Sequence, residues 1–218
     1  MDHQKEFFDA SYQKLVDAID RIRDEVAAEI YAFEFVIYAE EDDSRQLEFS
    51  VHYNTERQFQ AKWTNRPAVP KPDRYVAKDE MDARWNTNLW MGRALLTVGE
   101  PPEDELYQKW IESSPFYYTD EEEEEWYNSK NDEEWDKHTD GLWVMYADMV
   151  IALSQKLHAE GVFVNKFGKT TPVLIAISND HYYQETGETL QWILRANPDG
   201  VADEYVNWAY DYYGYKKP

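Results

Sequence analysis

The chain contains no cysteine in 218 residues and only 8 glycines. The first absence excludes a disulfide framework, a thiol nucleophile and any cysteine-ligated zinc or iron–sulfur centre. The second goes with the lack of any G-x-x-x-x-G-K or G-x-G-x-x-G spacing, which excludes nucleotide binding through a glycine-rich phosphate loop. There is no serine-centred nucleophile elbow. No apolar run approaches the roughly 20 residues that a membrane helix needs. The opening MDHQKEFFDASYQKL carries acids early and lacks the basic start and apolar stretch of a signal peptide. A reducing compartment suits such a chain, and the cytoplasm is the expected location. Positive charge is scarce too: 22 Lys and Arg stand against 44 Asp and Glu, a formal net charge of -22. That field repels nucleic acid and anionic membranes and favours a basic protein as partner.

What is present is the material of a core. Hydrophobic residues make up 43% and aromatics 16%, with 9 Trp and 17 Tyr, which points to a folded chain rather than a disordered one. The length suits a single domain over 1–218.

Local patterns predict an α+β fold in which a small, mainly antiparallel sheet packs against several amphipathic helices. Phe7, Tyr12, Leu15, Val16, Ile19, Ile22 and Val26 recur at helical spacing and predict one long helix from Glu6 to Glu29. The β-rich stretch Tyr31–Tyr38 and the alternating Leu47, Phe49, Val51 and Tyr53 predict a hairpin with one wet face, turning through Glu40–Arg45. A short helix follows to about Trp63, and the prolines at 67, 70 and 72 force a loop. Residues 73–99 fit neither period and read as mixed strand and turn. Pro101-Pro102-Glu103-Asp104 opens a helix. Thr119-x-x-Glu122 and Asn131-x-x-Glu134 each open a short acidic segment. Asp140 is positioned to cap a helix with the stripe Leu142, Met145, Tyr146, Met149, Val150, Leu153 and Leu157, stopped by Gly161. Val162-Phe163 and Pro172–Ser178 read as strands, with 173–177 in the sheet interior. Glu188–Ala196 and Asp203–Tyr213 read as two closing helices.

The passages YAFEFVIYAEEDD and HYNTERQF, with LHAEGVFVNKFGKTTPVLIAISNDH and the later ANP and EYVNW, resemble a bacterial family catalogued as domain of unknown function 4303. The likeness covers roughly the first and last sixty residues. It implies a bacterial α+β domain and carries over no functional residue, because the family has no assigned activity. Residues 100–140 depart from the family pattern and read as an acidic, aromatic-rich, insertion-like segment.

That segment holds 16 acidic and 3 basic residues, so -13 of the net charge lies in it. One reading is an anionic docking surface. Trp110, Tyr117, Tyr118, Trp126, Tyr127 and Trp135 would be its anchors, and Glu121, Glu122, Glu123, Glu124 and Glu125 its charge. The plainer reading is a solvated acidic face whose tryptophans turn inward. The five glutamates radiate around a helix and cannot converge on one cation, so no metal and no cofactor is expected. Only two places set an imidazole beside carboxylates as a general base or hydrolytic metal site wants: His138 near Asp136 and Asp140, and the Asp180-His181 pair at a strand end. Neither matches a catalytic motif. An acid pair of glycosidase type carries no weight among 44 acids.

The expected function is a non-enzymatic acidic protein-binding domain. An immunity or inhibitor protein for a basic toxin or nuclease is an analogy for it from small acidic bacterial domains. The alternatives are a metal-assisted hydrolase at a His/Asp site and a self-associating scaffold using Tyr205–Tyr215.

Overall fold

A computed structural model describes residues 2–39, 43–64, 77–90, 94–100, 104–178 and 187–215. At its centre are β1 (Ile30–Ala39) and β2 (Leu47–Thr55), the predicted hairpin. β2 pairs antiparallel with the short β3 (Leu96–Val98), and β1 pairs parallel with β4 (Val173–Ile177). The sheet order is β3-β2-β1-β4. β4 is therefore an edge strand, not an interior one as its apolar run suggested. Its outer edge is satisfied at Val173 by Asn197, whose amide accepts from the Val173 N–H at 2.8 Å and donates to its carbonyl at 2.7 Å. The side chain stands in for the strand that is missing there.

Helices cover both faces, which overturns the expected wet face. Phe33, Phe35 and Ile37 share one face with Phe49 and Val51, all fully buried. The other face carries Glu34, Val36 and Tyr38 opposite His52, Ser50 and Glu48. It is polar, yet Glu34, Glu48 and Ser50 are buried.

Over the apolar face lie α1 (His3–Asp20), α5 (Glu105–Glu112), α7 (Asp132–Ala159) and α8 (Val162–Phe167). α1 stops earlier than its periodicity predicted. The chain turns at Arg21–Arg23, makes the four-residue α2 (Asp24–Ala27) and enters β1. The apolar period runs on through Ile22 and Val26, so the pattern alone hides this corner. α8 replaces the strand expected at Val162-Phe163. Gly161 and Gly168, each with φ near +70°, bound it. They let Phe163 and Phe167, one turn apart, both reach Phe33, with ring centroids 5.4 and 5.5 Å away.

The other layer includes α3 (Glu56–Thr64), α4 (Glu80–Trp85) and α10 (Asp203–Tyr213), which follows α9 (Glu188–Ala196) near the C-terminus. α9 lies beside β4 and α7, while α10 lies against α4. A 3₁₀ turn at Thr87–Leu89 follows α4, so the part of 73–99 that is described holds two helical pieces and one strand. Arg84 ties this layer together: its guanidinium lies 4.2 Å from the Tyr31 ring centre and makes two hydrogen bonds to Glu56 at 3.0 and 2.7 Å. Of the rings of the C-terminal helix, Tyr205 packs on Trp85 and Tyr212 on Trp208, while Tyr213 is 40% exposed.

α7 is the largest departure from the local reading. Asp140 starts no helix, because one 28-residue helix capped at Asn131 runs through it. The second half supplies the core stripe Leu142, Tyr146, Val150, Leu153 and Leu157. Each such apolar side chain contributes roughly 1.5–3 kcal/mol by leaving water. The first half extends beyond the core and carries acids. No helix among the described residues is long and apolar enough to cross a membrane.

Candidate functional site: an acidic helical hairpin and the cleft at its base

After α5, the acidic segment folds as an αα-hairpin of α6 (Asp120–Ser129) and the first turns of α7. Its start is set by a reciprocal cap. The Glu122 N–H donates to Thr119 Oγ1 at 3.3 Å and the Thr119 N–H donates to Glu122 Oε2 at 2.8 Å. Acids at this end also complement the partial positive charge of the helix N-terminus. The corner is Lys130, the one non-glycine residue with positive φ among those described, at 56°. Its neighbour Asn131 donates its N–H to Trp126 O and caps α7.

No residue of α6 is buried, yet the helix is pinned. Arg45 does the pinning. Its guanidinium donates to Asp43 Oδ2 at 2.9 Å, Asp120 Oδ1 at 2.6 Å and Glu123 Oε2 at 3.0 Å, and lies 4.7 Å from the Tyr118 ring centre. Burial disfavours the charged guanidinium, but the bonds to Asp43 and Asp120 outweigh it and its pKa is raised. Sequence reasoning missed this residue. The available signal was a single cation closing an otherwise acidic turn.

The five glutamates thus have three fates. Glu122 caps the helix, Glu123 faces Arg45, and Glu121, Glu124 and Glu125 are exposed to solvent. Among the described residues no three His, Asp or Glu side chains converge as metal ligands.

The predicted aromatic anchors separate in the same way. Trp110 is a core residue, stacked between Phe7 at 5.1 Å and Tyr146 at 5.8 Å, and Tyr118 is 2% exposed beneath the hairpin. Neither can meet a partner, because each is already enclosed by its own chain. Trp126 and Trp135 are half-buried and flank Tyr118, at 5.5 and 5.9 Å. Tyr117 is half-buried at the hairpin's root, and Tyr127, at 83% exposed, is the ring most open to solvent among the described residues.

His138 is a packing residue here. Its ring lies 5.0 Å from Trp126, its Nδ1 is 2.9 Å from Phe116 O, and its Nε2 is 3.6 Å from Glu134 Oε2, one turn earlier. Asp136 and Asp140 stand two positions from His138 on the helix, a spacing at which side chains do not share a face. Asp180 and His181 lie outside the described residues.

Between the β1–β2 turn, α5 and the start of α6 lies a cleft of about 450 Å³. Asp43, Arg45, Gln46, Tyr107, Gln108, Ile111, Glu112, Tyr117 and Asp120 line it. Tyr107 braces its floor, donating to Arg45 O at 3.0 Å and accepting from the Leu47 N–H at 2.6 Å. Tyr117 and Ile111 give it apolar walls.

The polar sheet face is the second concentration of chemistry, and its members were also missed as a group. Ser50 Oγ lies 2.9 Å from His52 Nε2, and Glu34 stands opposite His52 in the register. Burial pushes the Glu34 carboxyl up to about 7, against a smaller opposing effect of its bond with Thr87. Ser50 is itself buried, and a buried hydroxyl requires a hydrogen-bond partner. The pair is accounted for by that need. The alternation of Glu34, Val36 and Tyr38 against Glu48, Ser50, His52 and Asn54 was the signal that placed these residues on one face.

Comparison of the chain with protein-family models, with curated proteins and with solved structures finds no match.

Proposed function

We propose that this protein is a non-enzymatic acidic binding domain that docks a basic protein through the α6–α7 hairpin. The observation that carries this reading is that α6 contributes six successive acids and no buried side chain, yet is held in place by Arg45 and a reciprocal cap. A helix that contributes only the half-buried Trp126 to the packing and is still fixed in orientation presents its charge as a rigid surface. The net charge of -22 steers a cationic partner toward it and disfavours nucleic acid and anionic membranes. In its finer form the protein is a bacterial cytoplasmic inhibitor or immunity protein that occludes a basic toxin or nuclease. The resemblance of both chain ends to domain of unknown function 4303 belongs to this same proposal.

The test is affinity capture from host lysate at low and then high salt, run in parallel with a variant carrying glutamine at 121–125. A stoichiometric basic protein held at low salt and released at high salt, with association slowed several-fold in the variant, is the expected result. Capture and association that do not change on removing the five charges would refute the hairpin as the docking surface.

A further inference from the structure

The cleft at the base of the hairpin has a composition that the docking proposal does not use. Three carboxylates, from Asp43, Asp120 and Glu123, share the one guanidinium of Arg45, so the cluster keeps an excess of negative charge even after its internal pairing. Glu112, on α5 at the cleft wall, adds another carboxylate with no ion pair of its own among the described residues. Against this charge stand the faces of Tyr117 and Ile111 and the buried ring of Tyr107.

An anionic, aromatic-walled recess of about 450 Å³ is at the small end of ligand pockets and larger than one side chain. Its chemistry is complementary to a planar cation. A guanidinium stacks on an aromatic face and forks to carboxylates in the same plane, which an ammonium cannot do. A phosphate or carboxylate ligand is excluded by the same charges. Arg45 cannot recruit one, because its donors are committed to Asp43, Asp120 and Glu123.

We infer that this cleft is a socket for an arginine side chain of the basic partner, with Glu112 and Asp120 as its acceptors and Tyr117 as its stacking wall. The inference rests on the docking reading and specifies where the partner's anchor enters. It gives the hairpin a division of labour: Glu121, Glu124 and Glu125 attract from a distance, and the cleft at its root selects.

The test uses the intact protein with capped Gly-Arg-Gly, Gly-Lys-Gly and Gly-citrulline-Gly peptides, followed by amide chemical shifts. The expected result is saturable shifts at Glu112, Tyr117 and Asp120, arginine binding several-fold tighter than lysine, and citrulline not binding. Glu112→Gln should weaken the arginine peptide at least five-fold, while Glu124→Gln, which removes the same charge away from the cleft, should change it less than two-fold. Equal affinity for arginine and lysine, with shifts spread along α6 and both variants alike, would overturn the socket and leave hairpin docking intact. No shift at the cleft at millimolar peptide would overturn it as well. Failure of the docking reading is separately visible, as lysate capture that ignores the five glutamates.

Discussion

Glu34→Gln should make the protein more stable at alkaline pH and flatten its pH dependence. The carboxyl is buried on the polar sheet face and titrates at about 7, against 4.5 for an ordinary glutamate. Between those values the folded protein holds a proton that the unfolded chain has already released. Stability from this group is therefore full below about pH 4.5, falls as pH rises through 7, and is level above that. Each pKa unit corresponds to 1.36 kcal/mol, so ionising Glu34 in place costs about 3 kcal/mol at pH 8. Glutamine keeps the shape and a neutral hydrogen-bonding end, and avoids that cost. Urea unfolding followed by tryptophan fluorescence, at about pH 5 and about pH 8, measures it in both proteins. The expected gain of the variant over the wild type is under about 1 kcal/mol at the lower pH and about 3 kcal/mol at the higher. Taking the difference between the proteins removes the general repulsion among the other acids, which also grows with pH. Parallel pH profiles would refute the reasoning. They would mean that Glu34 is ionised and compensated within the fold, with His52 across the strand pair as the first cation to test.

Two further expectations concern the hairpin. Lys130→Gly should stabilise the protein by about 0.5–1 kcal/mol, because a left-handed conformation costs an L side chain roughly 1–2 kcal/mol and the glycine returns only part of that in chain entropy. A lower urea midpoint in the variant would show that the lysine side chain contributes more at this corner than its backbone loses. Gly141→Ala should destabilise by about 1–3 kcal/mol despite the better helix propensity of alanine, since its Cβ would fall 2.2 Å from Phe116 Cδ1. The loss should vanish in a Phe116→Ala background, and its persistence there would place the strain elsewhere.

How much could be read from the chain alone varied with how local the deciding interaction is. α9 and α10 match their predicted bounds because their period and stops lie within a dozen residues. The hairpin was equally legible from its alternation. α7 was split in prediction because Asp140 resembles a cap. In the fold the hydrogen bonds run through that point, and Thr139 Oγ1 donates back to Trp135 O at 2.9 Å. The strand predicted at Val162 failed because two glycines and one distant ring, Phe33, favour a helical turn there.

At the candidate site, composition alone determined that the surface is acidic, that thiol chemistry and glycine-rich phosphate loops are absent, and that residues 100–140 carry most of the charge. These are sums over residue types, and folding does not alter them. Only the tertiary structure decided which acids are neighbours and which rings are spent. Arg45 meets Asp120 across 75 residues of chain, Trp110 and Tyr118 are enclosed by their own core, and Glu34 loses water because helices close over both faces of the sheet. Each outcome depends on contacts between segments remote in sequence, where no local period or spacing carries a signal.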